Sequence, residues 1–256
     1  MEVNFIARGR LGNAIFRYFA CAISCILYNG KYNVKYYSNT SRYYDLTEED
    51  FKLLQNGLLN EQIKNTNIIN LNCFYQYDII YRKFKDKIIN FIKNNQEHFI
   101  ETDGINAGDG RNERFYMLEI IEMPIFFNKK YNNVLHIRLE DFVTHNLYIK
   151  TEQIIELFDK NIIENTLCIV CKTPNTEFEI NYINIIKTYL ENKNITVIQE
   201  SNDTLTDYYI MKCAETLICS KSTLSWCAAL LSTTIKTCYI PKNESFKYPI
   251  DNTYFY

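Results

Sequence analysis

The sequence is short of the residues that punctuate loops, with seven glycines and four prolines among 256 positions. That scarcity excludes collagen-like and low-complexity chains and favours long elements joined by short connections. Only three histidines are present, and none is spaced with cysteine as a zinc site requires. Neither sign of charge dominates. Lys and Arg number 28, Asp and Glu 30, for a net charge of −2. Nothing global therefore attracts nucleic acid or an anionic membrane, and any anion site must be local. No uninterrupted apolar run reaches 18 residues, so no integral membrane segment is expected. The chain enters an apolar run at Val3–Ala7 without a preceding basic region, so no signal peptide is expected. The GxGxxG fingerprint and the Gly-Lys-Ser/Thr phosphate loop are both missing.

What is there is globular: 47% hydrophobic and 23% charged, enough for two modest domains or one large one. Nine cysteines, an odd number, are scattered among apolar runs. Cys168 and Cys171 form a CxxC, but within Leu167–Cys171, which reads as a strand; period-2 alternation points them to opposite faces. The cysteines are expected to be reduced and mostly buried, which implies a reducing, cytoplasmic location. Sequons opened by Asn39, Asn194, Asn202 and Asn243 carry no meaning there.

In the first half, Val3–Ala7 reads as a strand, Arg8–Asn13 as a glycine turn and Ala14–Leu27 as a helix. Gly9 and Gly12 permit a tight turn, and the helix start offers free N–H groups with partial positive charge. Strands are expected at Tyr32–Tyr37 and Ile68–Phe74, helices at Phe51–Leu59 and Ile79–Ile92, and loops at Ser38–Tyr44 and Thr102–Arg111. A domain boundary is placed near residue 125, giving an N-terminal α/β domain over 1–125 and a C-terminal one over 126–256. The second half alternates regularly. Strands at Val134–Ile137, Leu167–Cys171, Ile195–Ile198, Thr216–Cys219 and Ile235–Ile240 are separated by helices at Thr151–Lys160, Glu177–Leu190, Thr204–Cys213 and Thr223–Leu231. That alternation predicts βαβ units and a parallel sheet.

Ligands of open α/β sheets bind outside the carboxyl ends of the strands. Residues there become the candidates. His136, Arg138 and Asp141 sit where Val134–Ile137 runs out, and a fixed guanidinium can fork onto two oxygens of a diphosphate. Ser220, Ser222 and Thr223 lie between a strand and an apolar helix, with Ser222 a natural N-cap. Asp207 opens the preceding helix, where it either offsets the helix dipole or accepts N–H donors from a base such as guanine. Each feature alone equally fits a plain turn or plain capping.

Together and in order, these pieces resemble a known family. Gly9-Arg10-Leu11-Gly12-Asn13-Ala14-Ile15-Phe16-Arg17-Tyr18 resembles the GGLGNQxFxY opening of α-1,2-fucosyltransferases, and its Gly-Arg-x-Gly-Asn form resembles that of protein O-fucosyltransferases. Phe74-Tyr75-Gln76-Tyr77 is similar to the GYFQSxxYF segment, and His136-x-Arg138-x-Glu140-Asp141 to HxRxGD. Asp207 through Cys213, then Ser220 through Trp226, resembles the DxxxMSxC…SNSTFSWW block. The resemblance implies a type-B glycosyltransferase, two Rossmann-like domains facing a cleft, that moves fucose from GDP-fucose to a glycan hydroxyl. It implies a diphosphate contact from Arg138, contacts to the diphosphate or the sugar from Arg10 and Asn13, a nucleotide contact or steadying role for His136, guanine readout by Asp207, and phosphate binding by Ser222 and Thr223. Xylose or rhamnose donors, or a non-catalytic nucleotide-sugar-binding relative, stay open. The resemblance implies an inverting transfer; the sequence has no Asp-x-Asp, the motif type-A transferases use to hold a metal, so the transfer is expected to be metal-independent, with no cofactor. His145 and Asp141 are the candidate bases. Departures from the motifs include Glu140 for glycine, Arg10 for glycine, Ala14 for glutamine, Lys221 for asparagine, Leu224 for phenylalanine and Cys227 for the second tryptophan.

Overall fold

The computed structural model describes residues 1–34, 44–104, 112–242 and 249–256. The chain divides into two compact units, Met1–Phe126 and Phe127–Tyr256. Both are α/β, and each is built on a parallel sheet. The loops expected at Ser38–Tyr44 and Thr102–Arg111 fall largely outside the described residues.

In the first unit, β1 (Glu2–Phe5), β2 (Lys31–Val34), β3 (Tyr44–Leu46) and β4 (Ile68–Leu71) form a sheet in the order β2-β1-β4-β3. Every pairing in it is parallel. The strand run expected over 68–74 stops at Leu71, because Asn72–Tyr77 turns away to start the next helix. α1 (Leu11–Tyr28) follows β1, and Ala14 through Cys25 are all buried on every side of it. A helix apolar all round belongs in a core. Asn29, in the left-handed region at φ 54°, ends it by donating its N–H to the Cys25 carbonyl. α2 (Glu48–Gln55), capped by a reciprocal Thr47–Asp50 box, and α3 (Glu61–Lys64) connect β3 to β4, and α4 (Asp78–Asn94) follows the sheet's last strand. A short antiparallel pair, β5 (Phe99–Glu101) with β6 (Arg114–Tyr116), and α5 (Met117–Ile121) close the unit.

One expectation needs correcting here. α1 is 18 residues long with mean hydropathy 1.4, which is long and apolar enough to cross a membrane by length and composition. Counting uninterrupted apolar residues missed it because Asn13, Arg17 and Ser24 break the run. In the structure 83% of it is buried inside the protein. Arg17 lies wholly inside, donating from both Nη atoms to the Ile6 and Leu71 carbonyls, just past β1 and at the end of β4. Burial pushes its guanidinium down to about 10, still charged at neutral pH.

In the second unit, β7 (Asn133–His136), β8 (Thr166–Val170), β9 (Thr196–Glu200), β10 (Thr216–Ile218), β11 (Thr237–Ile240) and β12 (Thr253–Phe255) form one sheet in the order β12-β11-β10-β7-β8-β9. All of its pairings are parallel. The connections carry α6 (Glu140–Thr144), α7 (Thr151–Phe158), α8 (Glu177–Asn192), α9 (Thr204–Lys212) and α10 (Thr223–Leu231). Leu135, Ile137, Leu167, Ile169, Ile183 and Ile186 belong to a continuous core between the sheet and its helices. Read from β7 outward, the strands run first, second, third to one side and fourth, fifth, sixth to the other. That is the Rossmann order. The chain reverses direction between β7 and β10, which places the switch point at their carboxyl ends.

Candidate functional site

The switch point brings His136, the last residue of β7, beside Ser220, two residues past the end of β10. The Ser220 hydroxyl and the His136 Nδ1 are 2.9 Å apart, and both residues are buried. Burial alone pushes the imidazole from its ordinary 6.5 down to about 4. At neutral pH His136 is therefore uncharged. A neutral ring has one donor and one acceptor, so it can fix the Ser220 hydroxyl while offering its other nitrogen elsewhere.

Arg138 stands two residues beyond the strand. Its Nε lies 2.8 Å from Glu140 Oε2, and its Nη2 lies 3.1 Å from Asp141 Oδ1. Its guanidinium also stands 5.6 Å from the centre of the Phe142 ring. The Arg138 and Glu140 side chains are 17% and 20% exposed, so solvent screens the pair poorly. Asp141, read from the sequence as a candidate base, pairs with the Arg138 guanidinium three residues before it. The charged turn read from the sequence is instead a single helical turn, α6, and Asp141 and Glu140 both lie in it. His145 caps the carboxyl end of α6 and is exposed.

Glu140 takes a backbone φ of +29°, in the region that favours glycine, and glycine is what the HxRxGD pattern has there. Its other oxygen reaches Lys172 Nζ at 3.2 Å. A pocket of about 110 Å³ opens beside this group, lined among others by Leu139, Glu140, Lys172, Thr173, Asn175 and Glu179. Burial raises the Glu179 carboxyl, but backbone N–H groups of Asn175, Thr176 and Glu140 outweigh it and hold the group below its ordinary range. The Thr176-x-x-Glu179 spacing announces a capping box in the sequence, but not the reach of Glu179 back to Glu140.

Ser222 caps α10 by accepting the Leu224 N–H at 3.3 Å, and Thr223 is the first residue of that helix. Trp226 and Cys227 are buried behind them. A shallow depression with only about 10 Å³ of free space is lined by Cys219 to Ser222 together with Trp226, Ile240 and Pro241. Asp207 sits in the first turn of α9, one turn inside its cap, Asp203. Burial raises its carboxyl to about 7, against hydrogen bonds from Asn202 that lower it. Its Oδ1 takes both the Asn202 N–H at 3.2 Å and the Asn202 side-chain amide at 3.0 Å. Asn202 in turn ties Asp207 to Glu200, which also accepts from Lys129 at 2.8 Å and Tyr131 at 2.5 Å. No local pattern links Lys129 with Glu200, so the sequence could not announce this network.

The N-terminal candidates gather at the carboxyl edge of the first unit's sheet. Gly9 has φ +75°, and a Cβ there would come within 3.1 Å of both Asn13 Cβ and the Phe74 ring. Its carbonyl accepts the Asp103 N–H at 2.9 Å. Gly12 is not a turn glycine: it lies inside the first turn of α1, buried. Arg10 occupies the N-cap position of α1 without a side-chain cap bond. Asn13 accepts from Gln76 Nε2 at 3.0 Å, which joins the first motif to the Phe74–Tyr77 segment. Arg8 stacks 5.2 Å from the Phe74 ring centre and donates to the Asn72 carbonyl.

Among the described residues no group of three or more His, Cys, Asp or Glu is arranged to hold a metal ion. No family model matches the chain, and no curated protein matches it by sequence. Solved structures similar to it include a mutant of Arabidopsis thaliana FUT1 in complex with GDP, at 11% identity and a TM-score of 0.49, covering 97% of this chain and 72% of that one. POFUT1 in complex with GDP-fucose is similar at 8% identity and a TM-score of 0.42, covering 93% and 97%. Methanocaldococcus jannaschii UDP-GlcNAc 2-epimerase in complex with UDP-GlcNAc and UDP is similar at 14% identity and a TM-score of 0.37, covering 100% and 89%.

Proposed function

We propose that the protein is a cytoplasmic glycosyltransferase of the type-B kind, metal-independent and inverting, that moves fucose from GDP-fucose to a glycan hydroxyl. The observation that carries this reading is the second unit's strand order, which puts His136, Arg138, Ser220 and the α10 cap at one switch point. The four motifs add the donor. Cleavage of a sugar–phosphate bond builds negative charge on the leaving diphosphate. Arg138, held rigidly at the end of β7, is the cation for that charge, and the N–H groups at the start of α10 add to it. Neutral His136 steadies the Ser220 hydroxyl rather than adding charge. Asp207, in the first turn of α9, would read guanine as an ionised carboxylate, a form that its burial opposes and the arriving N–H donors favour. For Gly9, Arg10 and Asn13 it is the resemblance of the opening motif alone that implies a contact to the diphosphate or the sugar. Asp141 serves Arg138, which leaves His145 as the freer candidate for the base.

A second reading is favoured by one observation: Glu140 and Asp141 already occupy Arg138, as a nucleotide-sugar-binding relative without transfer activity would tolerate. Melting the protein against GDP, UDP, GDP-fucose, GDP-rhamnose and UDP-xylose separates the readings, because a ligand of the folded state raises the melting temperature. We expect GDP and GDP-fucose to raise it and UDP to leave it unchanged. A response to UDP alone overturns the donor assignment, and GDP binding with no sugar transfer supports the second reading.

A further inference from the structure

Glu140 is the one departure from the resembled motif that falls against the candidate cation itself. Two features set it apart. Its backbone is in the left-handed region, where a side chain is strained and glycine is not. Its carboxylate is also not turned to water. One oxygen lies 2.8 Å from Arg138 Nε and the other 3.2 Å from Lys172 Nζ. A single anion thus bridges a guanidinium past the end of β7 and an ammonium past the end of β8. A phosphate group would make the same bridge, since its oxygens match the same donors. With Asp141 included, two carboxylates face two cations, and an arriving diphosphate meets no net positive charge.

We propose that Glu140 is a built-in competitor for the anionic part of the ligand, so that it determines how far binding depends on phosphate rather than on the nucleoside. This rests on the reading of Arg138 as the diphosphate grip. For a diphosphate to reach Arg138, the Glu140 side chain swings off while its backbone stays, because the Glu140 N–H is held by the Glu179 carboxylate. That carboxylate is anchored independently by the N–H groups of Asn175 at 2.9 Å and Thr176 at 3.2 Å. The adjoining pocket, about 110 Å³, gives the displaced carboxylate room.

Calorimetric titration of the full chain with GDP and with guanosine, for the natural protein and for Glu140→Gln, tests this. We expect the variant to bind GDP about tenfold more tightly, the scale of one charge-assisted hydrogen bond released for the ligand. Guanosine, which carries no phosphate, should bind both proteins alike. GDP binding that is unchanged or weaker in the variant, with the natural protein binding GDP, overturns the inference and leaves the Arg138 reading standing. If neither protein binds GDP, the Arg138 reading falls and takes the inference with it. Glu140→Gly, which restores the motif residue and relieves the backbone, serves as the second variant. It should melt no lower than the natural protein and tighten GDP binding in the same sense.

Discussion

Two titrating residues near the switch point pull stability in opposite directions. His136 is held at about 4 in the fold against an ordinary 6.5, so between those values the unfolded chain binds its proton and the fold does not. Its contribution is fully present above pH 6.5 and is lost as pH falls toward 4, by about 3 kcal/mol over the whole window. Asp207 is raised to about 7 from an ordinary 3.8, so across the same window the fold binds a proton that the unfolded chain does not. Its contribution is present at low pH and is lost as pH rises toward 7. Between about pH 5 and 6.5 the two nearly cancel, so the slope left in urea denaturation of the natural protein comes from other groups, His98 among them, which burial also lowers. Asp207→Asn should leave a slope that rises with pH, and His136→Gln a slope that falls. Identical profiles in all three proteins would contradict the assignment of both groups.

At the scale of elements, helix caps separate stability from binding. Asp203 caps α9 through the Leu205 and Thr206 N–H groups, and Ser222 caps α10 through the Leu224 N–H. Substituting either by alanine should cost about 1 kcal/mol. Only Ser222 belongs to the proposed phosphate site. Ser222→Ala should therefore also weaken GDP binding, whereas Asp203→Ala should melt lower and bind GDP as before. Equal GDP affinity in the two variants would remove α10 from the site. The long elements were legible in the sequence because burial imposes a period. α10 runs Thr223–Leu231 as read, and α8 and α9 differ only at their ends. β12, β3 and the β5–β6 pair were not, because three residues carry no period and their partners are distant in sequence. α6 escaped for a similar reason: it is one turn long, starts at a residue with positive φ, and looks like a charged loop. At the site, the candidates His136 and Ser220 were visible, but their bond spans 84 positions and needed the strand order to appear.

At the scale of the whole molecule, net charge near zero confines any anion recognition to local groups of side chains. The first unit gathers Gly9, Asn13, Gln76 and Arg8 at the carboxyl ends of β1 and β4, fastened from beneath by buried Arg17. The second places its candidates at the reversal of a Rossmann-ordered sheet. Parallel sheets of this kind are indifferent to chemistry, and the activity depends on which side chains stand at the strand ends. Here the account comes down to one guanidinium. GDP release from GDP-fucose should be measured for the natural protein and for Arg138→Ala, with circular dichroism showing that both are folded. The account predicts a fall of about 10²–10³ in turnover with the fold retained. Turnover unchanged by the loss of Arg138 would contradict it.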